Sequence, residues 1–226
     1  MPDLKIDELI RSRRKTIALI VQPDGRLVVR APLRATLAQI HALVGQKEAW
    51  IRAKQAEVRA AGHPNAAHHF QPGELFYFLG QAYPLAISPH PRTLLRLDTD
   101  CFVLADSARE RGIQVFTRWY RQQAAALLPE RAAWFADRYG FKYNRVRISA
   151  ARTRWGSCST LGSLSFTWRL MLVPPAVLDY VVVHELAHTR ERNHQRAFWE
   201  QVAAVLPDYQ QRRKWLKANP WVMREL

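Results

Sequence analysis

Cysteine is scarce in this chain of 226 residues, which contains only Cys101 and Cys158. Two cysteines cannot build the disulfide framework on which small secreted proteins depend. The fold must therefore be stabilised by packing, with or without a bound metal. A reducing compartment fits this composition, and we expect a cytoplasmic protein.

Long hydrophobic runs are also absent. The apolar stretch at residues 17–21 (IALIV) is too short for the core of a signal peptide and far too short to cross a bilayer. We therefore expect neither export nor membrane insertion, and no membrane partner. The sequence also lacks an internal repeat, a low-complexity segment and a glycine-rich phosphate loop, which counts against a P-loop type of nucleotide site.

Acidic residues are few: 19 stand against 34 basic residues, which gives a formal net charge of +15, and 27 of the basic residues are arginine. The planar guanidinium suits carboxylate and phosphate groups, so either an anionic partner or a plain solvated surface accounts for the excess. The basic residues are spread along the chain, and no zinc ribbon accompanies them. Charge alone thus marks no DNA-binding module, and nucleic acid is a weakly supported partner.

The first half of the chain has the pattern of a β-rich region. Two apolar, β-branched runs flank Pro-Asp-Gly within residues 16–31, which predicts a hairpin. Residues 35–60 have helical periodicity, and four short strand-like pieces follow within 74–104. We therefore divide the chain into a β-rich N-terminal region, 1–105, and a catalytic region, 106–226.

The second half alternates helical patterns with short strands. Its predicted segments are a helical pattern at 107–138, strands at 144–150 and 163–171, a helix from Pro174-Pro175 onward and a last helix at about 195–216. Leu128-Pro129-Glu130 interrupts the first of these and predicts a junction of two helices. The predicted fold class is α+β.

One short segment carries the strongest chemical signal: VVVHELAHTRERNH at residues 181–194. On a helix, His184 and His188 lie about 40° apart around the axis and about 6 Å along it, so both imidazoles can bind one ion. Glu185 flanks that face, where a carboxylate can take a proton from a water held by the metal. Satisfied core histidines are the alternative, but burying these groups in an apolar helix is costly unless they are paired or bind metal.

A catalytic zinc site needs a third protein ligand and an open position for water. His194 is the best candidate, provided that the helix stops before it, and Asn193 could end the helix in a left-handed conformation. Glu191 and Glu200 are weaker candidates for the same role and are better suited to support the ligands. Three imidazoles and a water favour zinc, although cobalt, nickel or manganese could occupy the same site.

Other histidines and the second cysteine need an assignment of their own. His63, His68 and His69 lie in a Pro-Asn-Ala loop and are expected to be exposed to solvent. Cys158 could be proposed as a nucleophile, but no neighbouring histidine activates it, and a small buried thiol is the favoured interpretation. None of these residues is assigned to the site.

Several motifs together resemble the YgjP-like metallopeptidase family, which is related to the SprT-like zinc proteases. They are Arg154-Trp-Gly-Ser-Cys158, Trp168-Arg-Leu170, His184-Glu-Leu-Ala-His188, Asn193-His194 and Phe198-Trp199, with Arg11-Ser-Arg-Arg-Lys-Thr16 and Trp50-Ile51 near the start. The resemblance covers most of the chain. It implies a gluzincin-like domain in which a small sheet lies over an active-site helix, with metal ligands at His184, His188 and His194 and a catalytic glutamate at Glu185.

The RWGSC segment has two interpretations. Arg154 and Trp155 either line the substrate cleft or flank a tight turn at Gly156 that packs Trp155 against the active-site helix. Residues 163–171 precede that helix and are our candidate for a strand that borders the cleft and aligns a peptide by strand addition.

These features predict a zinc-dependent hydrolase, foremost a peptidase with a peptide or protein substrate. A metal-dependent nucleoside triphosphate pyrophosphatase of the UTP type is an alternative that the resemblance leaves open, with arginines binding phosphate. A DNA-associated SprT-like protease is a third hypothesis, supported by the net charge alone.

Overall fold

The computed structural model describes residues 5–14, 16–21, 25–60, 68–89 and 92–226, with the side chains of 57–60 left aside. The chain divides into two compact units, Met1–Ala67 and His68–Leu226. Helices and three small sheets occur together, so the predicted α+β fold class is confirmed. In the described ranges, none of the helices combines the length and apolar character needed to cross a membrane.

The first unit consists of a three-stranded sheet and two helices. Its elements are β1 (Glu8–Ser12), β2 (Ala18–Val21), β3 (Leu27–Pro32), α1 (Leu37–Gln46) and α2 (Glu48–Ala60). Strand β3 is central, parallel to β1 and antiparallel to β2, which confirms the predicted hairpin. Turn residues 22–24 of that hairpin lie outside the described residues.

Two helices stand where the sequence predicts one over residues 35–60. Thr36 caps α1, because its side chain accepts a hydrogen bond from the N–H of Gln39 while the Gln39 side chain accepts one from the N–H of Thr36. At Lys47 the backbone leaves helical geometry, and α2 starts at the next residue. Both helices contribute to the core of this unit, through Ile40 and Ile51.

The second unit carries the motif described above. Its elements are β4 (Leu75–Phe78), β5 (Gln81–Ser88), β6 (Leu95–Leu97), β7 (Phe102–Ala105), α3 (Gly112–Tyr139), β8 (Val146–Ser149), β9 (Gly156–Cys158), β10 (Leu164–Thr167), α4 (Pro175–Ala187), α5 (Arg196–Val205) and α6 (Tyr209–Ala218). The strand orders are β4-β5-β7-β6 and β8-β10-β9. All four strands predicted within 74–104 are thus present.

Strands β4–β7 belong to the same unit as the segment that carries the His184-Glu185-His188 motif. Phe76 of the four-stranded sheet stacks on Phe116 of α3 with ring centroids 4.0 Å apart, and Phe102 packs against the same ring in a tilted arrangement at 5.2 Å. The division into compact units therefore falls between 67 and 68, whereas the sequence places a boundary between 105 and 106. That residues 106–226 form a catalytic region of their own remains a prediction.

Helix α3 is continuous across Pro129, so the predicted junction of two helices at that point is wrong. Residues at a spacing of four along one face are fully buried: Phe116, Tyr120, Ala124, Leu128 and Ala132. A proline inside a helix costs about 3 kcal/mol, whereas burying one large apolar side chain contributes about 1.5–3 kcal/mol. Since the buried stripe continues on both sides of Pro129, packing outweighs the proline.

Candidate metal centre

The helix that carries the motif, α4, begins at Pro175, as predicted. Proline suits the first helical position because its φ is preset and its missing N–H is not needed there. Val181, Val182 and Val183 are buried, and the helix contacts α3, α5, α6 and strand β9. This packing fixes the position of the residues that follow on α4.

The backbone turns away directly after α4, with His188 as the C-terminal cap residue. Asn193 does not adopt the left-handed conformation that the sequence suggested. Its side-chain oxygen instead accepts a hydrogen bond from the N–H of Gln195 at 3.2 Å, in a turn that leads into α5. The helix thus ends before His194, which is brought back beside α4.

Three imidazoles converge at this turn. The Nε2 atoms of His184 and His194 are 3.1 Å apart. One ligand atom from each of His184, His188 and His194 lies within 4.8 Å of the other two, a grouping that could hold a metal ion. Among the described residues, this group contains neither Glu191 nor Glu200.

The chemistry of the donor atoms fits a divalent cation. Nδ1 of His188 donates to the carbonyl oxygen of Glu191 at 3.0 Å, so its proton is on Nδ1 and Nε2 presents a lone pair. Two nitrogens on one tetrahedral zinc at about 2.0–2.1 Å would be about 3.3 Å apart, close to the spacing of the His184 and His194 Nε2 atoms. The three side chains therefore offer nitrogen donors grouped closely enough to hold a metal ion.

Electrostatics keep two of these rings neutral. The pKa of His184 is lowered to about 3, mainly by burial and also by the neighbouring His188, His194 and Arg213. Burial also lowers the pKa of His188, opposed by its hydrogen bond to the Glu191 carbonyl. A neutral imidazole is the form that binds metal, so near neutral pH both rings are ready to act as ligands.

Glu185 is buried against strand β9. Its carboxyl has a pKa raised to about 7, because burial disfavours the charged form more strongly than the nearby Arg154 favours it. A Cβ atom built on Gly156 would lie 2.6 Å from both Cγ and Oε1 of Glu185. Glycine at 156 is therefore what allows the strand to pass so close to the carboxyl.

Arg154 and Trp155 line a cavity of about 360 Å³ that His184 and Glu185 also border. Trp155 also packs against the apolar core. It therefore has both expected roles, because it lines the cavity and stabilises the packing. The expected tight turn at Gly156 is wrong, since Gly156 begins strand β9 and does not have a positive φ.

The sequence predicts that residues 163–171 form the strand that borders the cleft. Strand β10, which lies in this range, does not have that position. It pairs with β8 on one side and β9 on the other, so it is the middle strand. Strand β9 lies at the edge and contacts α4. The polar sequence of β9 (GSC) gives no strand signal of its own.

Helix α6 forms one wall of the cavity, and the sequence analysis did not predict this wall. The predicted last helix at 195–216 is instead two, α5 and α6, separated around Pro207. This break lets Arg213, Leu216 and Lys217 of α6 line the cavity. Their helical spacing is visible in the sequence, but nothing local indicates the surface that they face.

Other candidate groups have different surroundings. Glu200 is paired with Arg196 at 2.6 Å, on an exposed part of α5. Cys158 is half-buried, and its thiol has a pKa raised by burial and by the charge of Glu185, which does not favour a nucleophile.

His68 is not exposed, contrary to expectation. Its side chain is 8% exposed and lies between two carboxylates, with Nδ1 at 2.6 Å from Glu74 and Nε2 at 2.8 Å from Glu225. The ring also stacks on Phe76. His69 is exposed as expected, and His63 lies outside the described residues.

None of the curated proteins matches this chain. A crystal structure of the metallopeptidase zymogen of Pyrococcus abyssi abylysin aligns with 41% of this chain and 94% of its own, at 19% identity and a TM-score of 0.37. The family model described as YgjP-like, metallopeptidase domain, matches residues 15–219. Because this match spans well over half of the sequence, the chain belongs to the YgjP-like family and carries a metallopeptidase domain.

Proposed function

We propose that this protein is a zinc-dependent peptidase in which His184, His188 and His194 hold the metal and Glu185 is the general base. The observation that carries the proposal is the convergence of three imidazoles beside a buried carboxyl. Imidazole suits zinc, which is also the usual metal of such sites. Zinc bound by these three histidines would supply a Lewis acid and would bring the pKa of a bound water near neutrality.

Glu185 moves the protons of the reaction. A pKa of about 7 lets its carboxylate accept a proton from the attacking water and its carboxyl later return that proton to the leaving amine. The pKa of an efficient proton-transfer group lies near the working pH, so the burial of Glu185 serves this role. Arg154 and Trp155, which border the same cavity, contact the substrate, a peptide or protein.

A cytoplasmic location is part of the proposal. Both cysteines are free thiols in the structure, as a reducing compartment would keep them.

The decisive experiment compares the wild-type protein with Glu185→Gln. The variant should keep its zinc, measured by elemental analysis, because Gln leaves the three histidines intact. Hydrolysis of a peptide library should fall by about 100-fold to 10,000-fold, the usual contribution of a general base. Hydrolysis at the wild-type rate would remove Glu185 from the mechanism.

A nucleotide panel belongs in the same experiment. Pyrophosphate release that depends on Glu185, with no cleavage of any peptide, would replace the peptidase assignment by the nucleotide alternative. DNA binding that weakens steeply with salt would support the DNA-associated alternative.

A further inference from the structure

The cavity beside the metal centre is lined by three cationic side chains. Arg154 comes from the loop before β9, and Arg213 and Lys217 come from α6. They reach the cavity from two separate elements, so their approach to one another is a product of the tertiary fold. Among the residues that the structure describes, Glu185 is the only acidic one on the wall of this cavity.

Arg213 and its neighbour Arg212 differ in their partners. Arg212 is held by Asp208 at 3.0 Å and donates to the carbonyl of Ala176 at 2.9 Å. The next residue, Arg213, lies over the ring of Trp199 at 4.7 Å from the ring centroid. Helix α6 has no acidic residue of its own.

Within the ranges that the structure describes, no ion pair joins Arg154, Arg213 or Lys217 to a carboxylate, whereas Arg131 and Arg196 of the same unit are paired. Three unpaired cations around a concave site attract an anion, and guanidinium groups bind carboxylates through paired hydrogen bonds.

The remaining walls are apolar. Trp155, Val181 and Leu216 line the cavity between the charged groups. A carbon chain that ends in a carboxylate matches this pattern, because its methylene groups can pack on the apolar walls while its oxygens reach the cations. A volume of about 360 Å³ suits one side chain or one chain end.

We propose that this cavity binds a carboxylate of the peptide substrate next to the scissile bond, so that the enzyme selects acidic peptides. This inference rests on the proposed peptidase function and names its substrate class. The carboxylate is that of an Asp or Glu side chain or of a free peptide C-terminus. Both sources present the same chemistry to Arg154, Arg213 and Lys217.

The test uses matched fluorogenic peptides and the zinc-loaded full-length protein. In a neutral sequence with an amidated C-terminus, single positions within three residues of the cleaved bond are made Glu, Gln or Lys. At one position, Glu should raise kcat/KM about tenfold over Gln, the gain typical of a charge-assisted hydrogen bond. A second arm compares the all-neutral peptide with a free or an amidated C-terminus, which identifies the chain end as the source.

Charge reversal of the cavity sharpens the test. Lys217→Glu should lower the Glu-to-Gln ratio of kcat/KM about tenfold and raise the rate on the Lys peptide. Lys214→Glu is the matched control, because this exposed lysine lies on the same helix but does not line the cavity. The control should leave the ratio within about twofold.

Binding gives a readout that does not require turnover. Dissociation constants of the Glu and Gln peptides, titrated into the Glu185→Gln protein by tryptophan fluorescence, should differ about tenfold in the same direction. Peptide cleavage with equal rates and affinities for Glu and Gln peptides, and for free and amidated ends, would overturn the acidic preference alone. Failure to cleave any peptide would overturn the proposed peptidase function itself.

Discussion

His184 and His68 both have rings that are shielded from water, yet their pKa values move in opposite directions. The pKa of His184 falls to about 3 because burial and the nearby His188, His194 and Arg213 all disfavour the charged ring. Burial lowers the pKa of His68 as well, but hydrogen bonds and charges from Glu225 and Glu74 outweigh it, and the net pKa is raised.

The difference teaches that the partners of a histidine decide its role more than its burial does. A neutral ring among other imidazoles keeps a lone pair for a metal. A ring between two carboxylates has both nitrogens hydrogen-bonded, and the carboxylates favour its charged form. The two clusters therefore predict different consequences when a histidine is removed.

The largest effect is expected at the metal centre. His194→Ala should reduce zinc affinity more than about 100-fold, because the site loses a direct ligand rather than a supporting group. Peptide hydrolysis should fall with it. Elemental analysis after dialysis against a weak chelator measures the loss, with the exposed His69→Ala as control. Full zinc content in His194→Ala would indicate that Glu191 or Glu200 is the third ligand.

Gly156→Ala should reduce kcat by about 10-fold to 100-fold while zinc content stays the same. The new methyl group would lie 2.6 Å from Glu185 and would displace its carboxyl. A displacement of about 1 Å in a reacting group can lower the rate by up to about 100-fold. Gly45→Ala is the control, since a Cβ built there meets no described atom within 4 Å apart from its chain neighbours and the backbone of its own helix. Wild-type kcat in Gly156→Ala would mean that the carboxyl tolerates a shift.

His68→Gln should leave zinc binding intact but lower the free energy of unfolding by about 3 kcal/mol, since two carboxylates lose the cation between them. The folded-state pKa of His68 is raised above 6.5, so its contribution is fully present below pH 6.5 and is lost as the pH rises through the folded value. Urea unfolding at several pH values should thus show that the difference in free energy of unfolding between wild type and variant becomes smaller as the pH rises. A gap that widens with pH would contradict the ion pair.

The smallest effect is expected at Arg196→Ala. Its ion pair with Glu200 is largely exposed, with 92% of the arginine side chain in solvent, so melting temperature should be unchanged within error. Zinc content should also be unchanged, although Glu200 is released. A gain in zinc affinity would instead support Glu200 as a ligand.

Prediction from sequence worked where a short segment determines its own geometry. The hairpin strands β2 and β3, the four strands β4–β7 and the start of α4 at Pro175 follow from local periodicity and turn residues. It was wrong where burial competes with local preference. Pro129 signals a break, but the buried face of α3 continues through it.

At the site, the sequence alone determined that two histidines and a glutamate share one helical segment, because helical spacing follows from backbone geometry. Only the tertiary structure decided that His194 turns back to them, that Gly156 presses on Glu185 and that α6 brings Arg213 and Lys217 to the same cavity. It also decided that His68 is buried between Glu74 and Glu225, which lie far from each other in the chain. The physical reason is that these contacts join elements distant in sequence, whose approach is set by the packing of the whole unit.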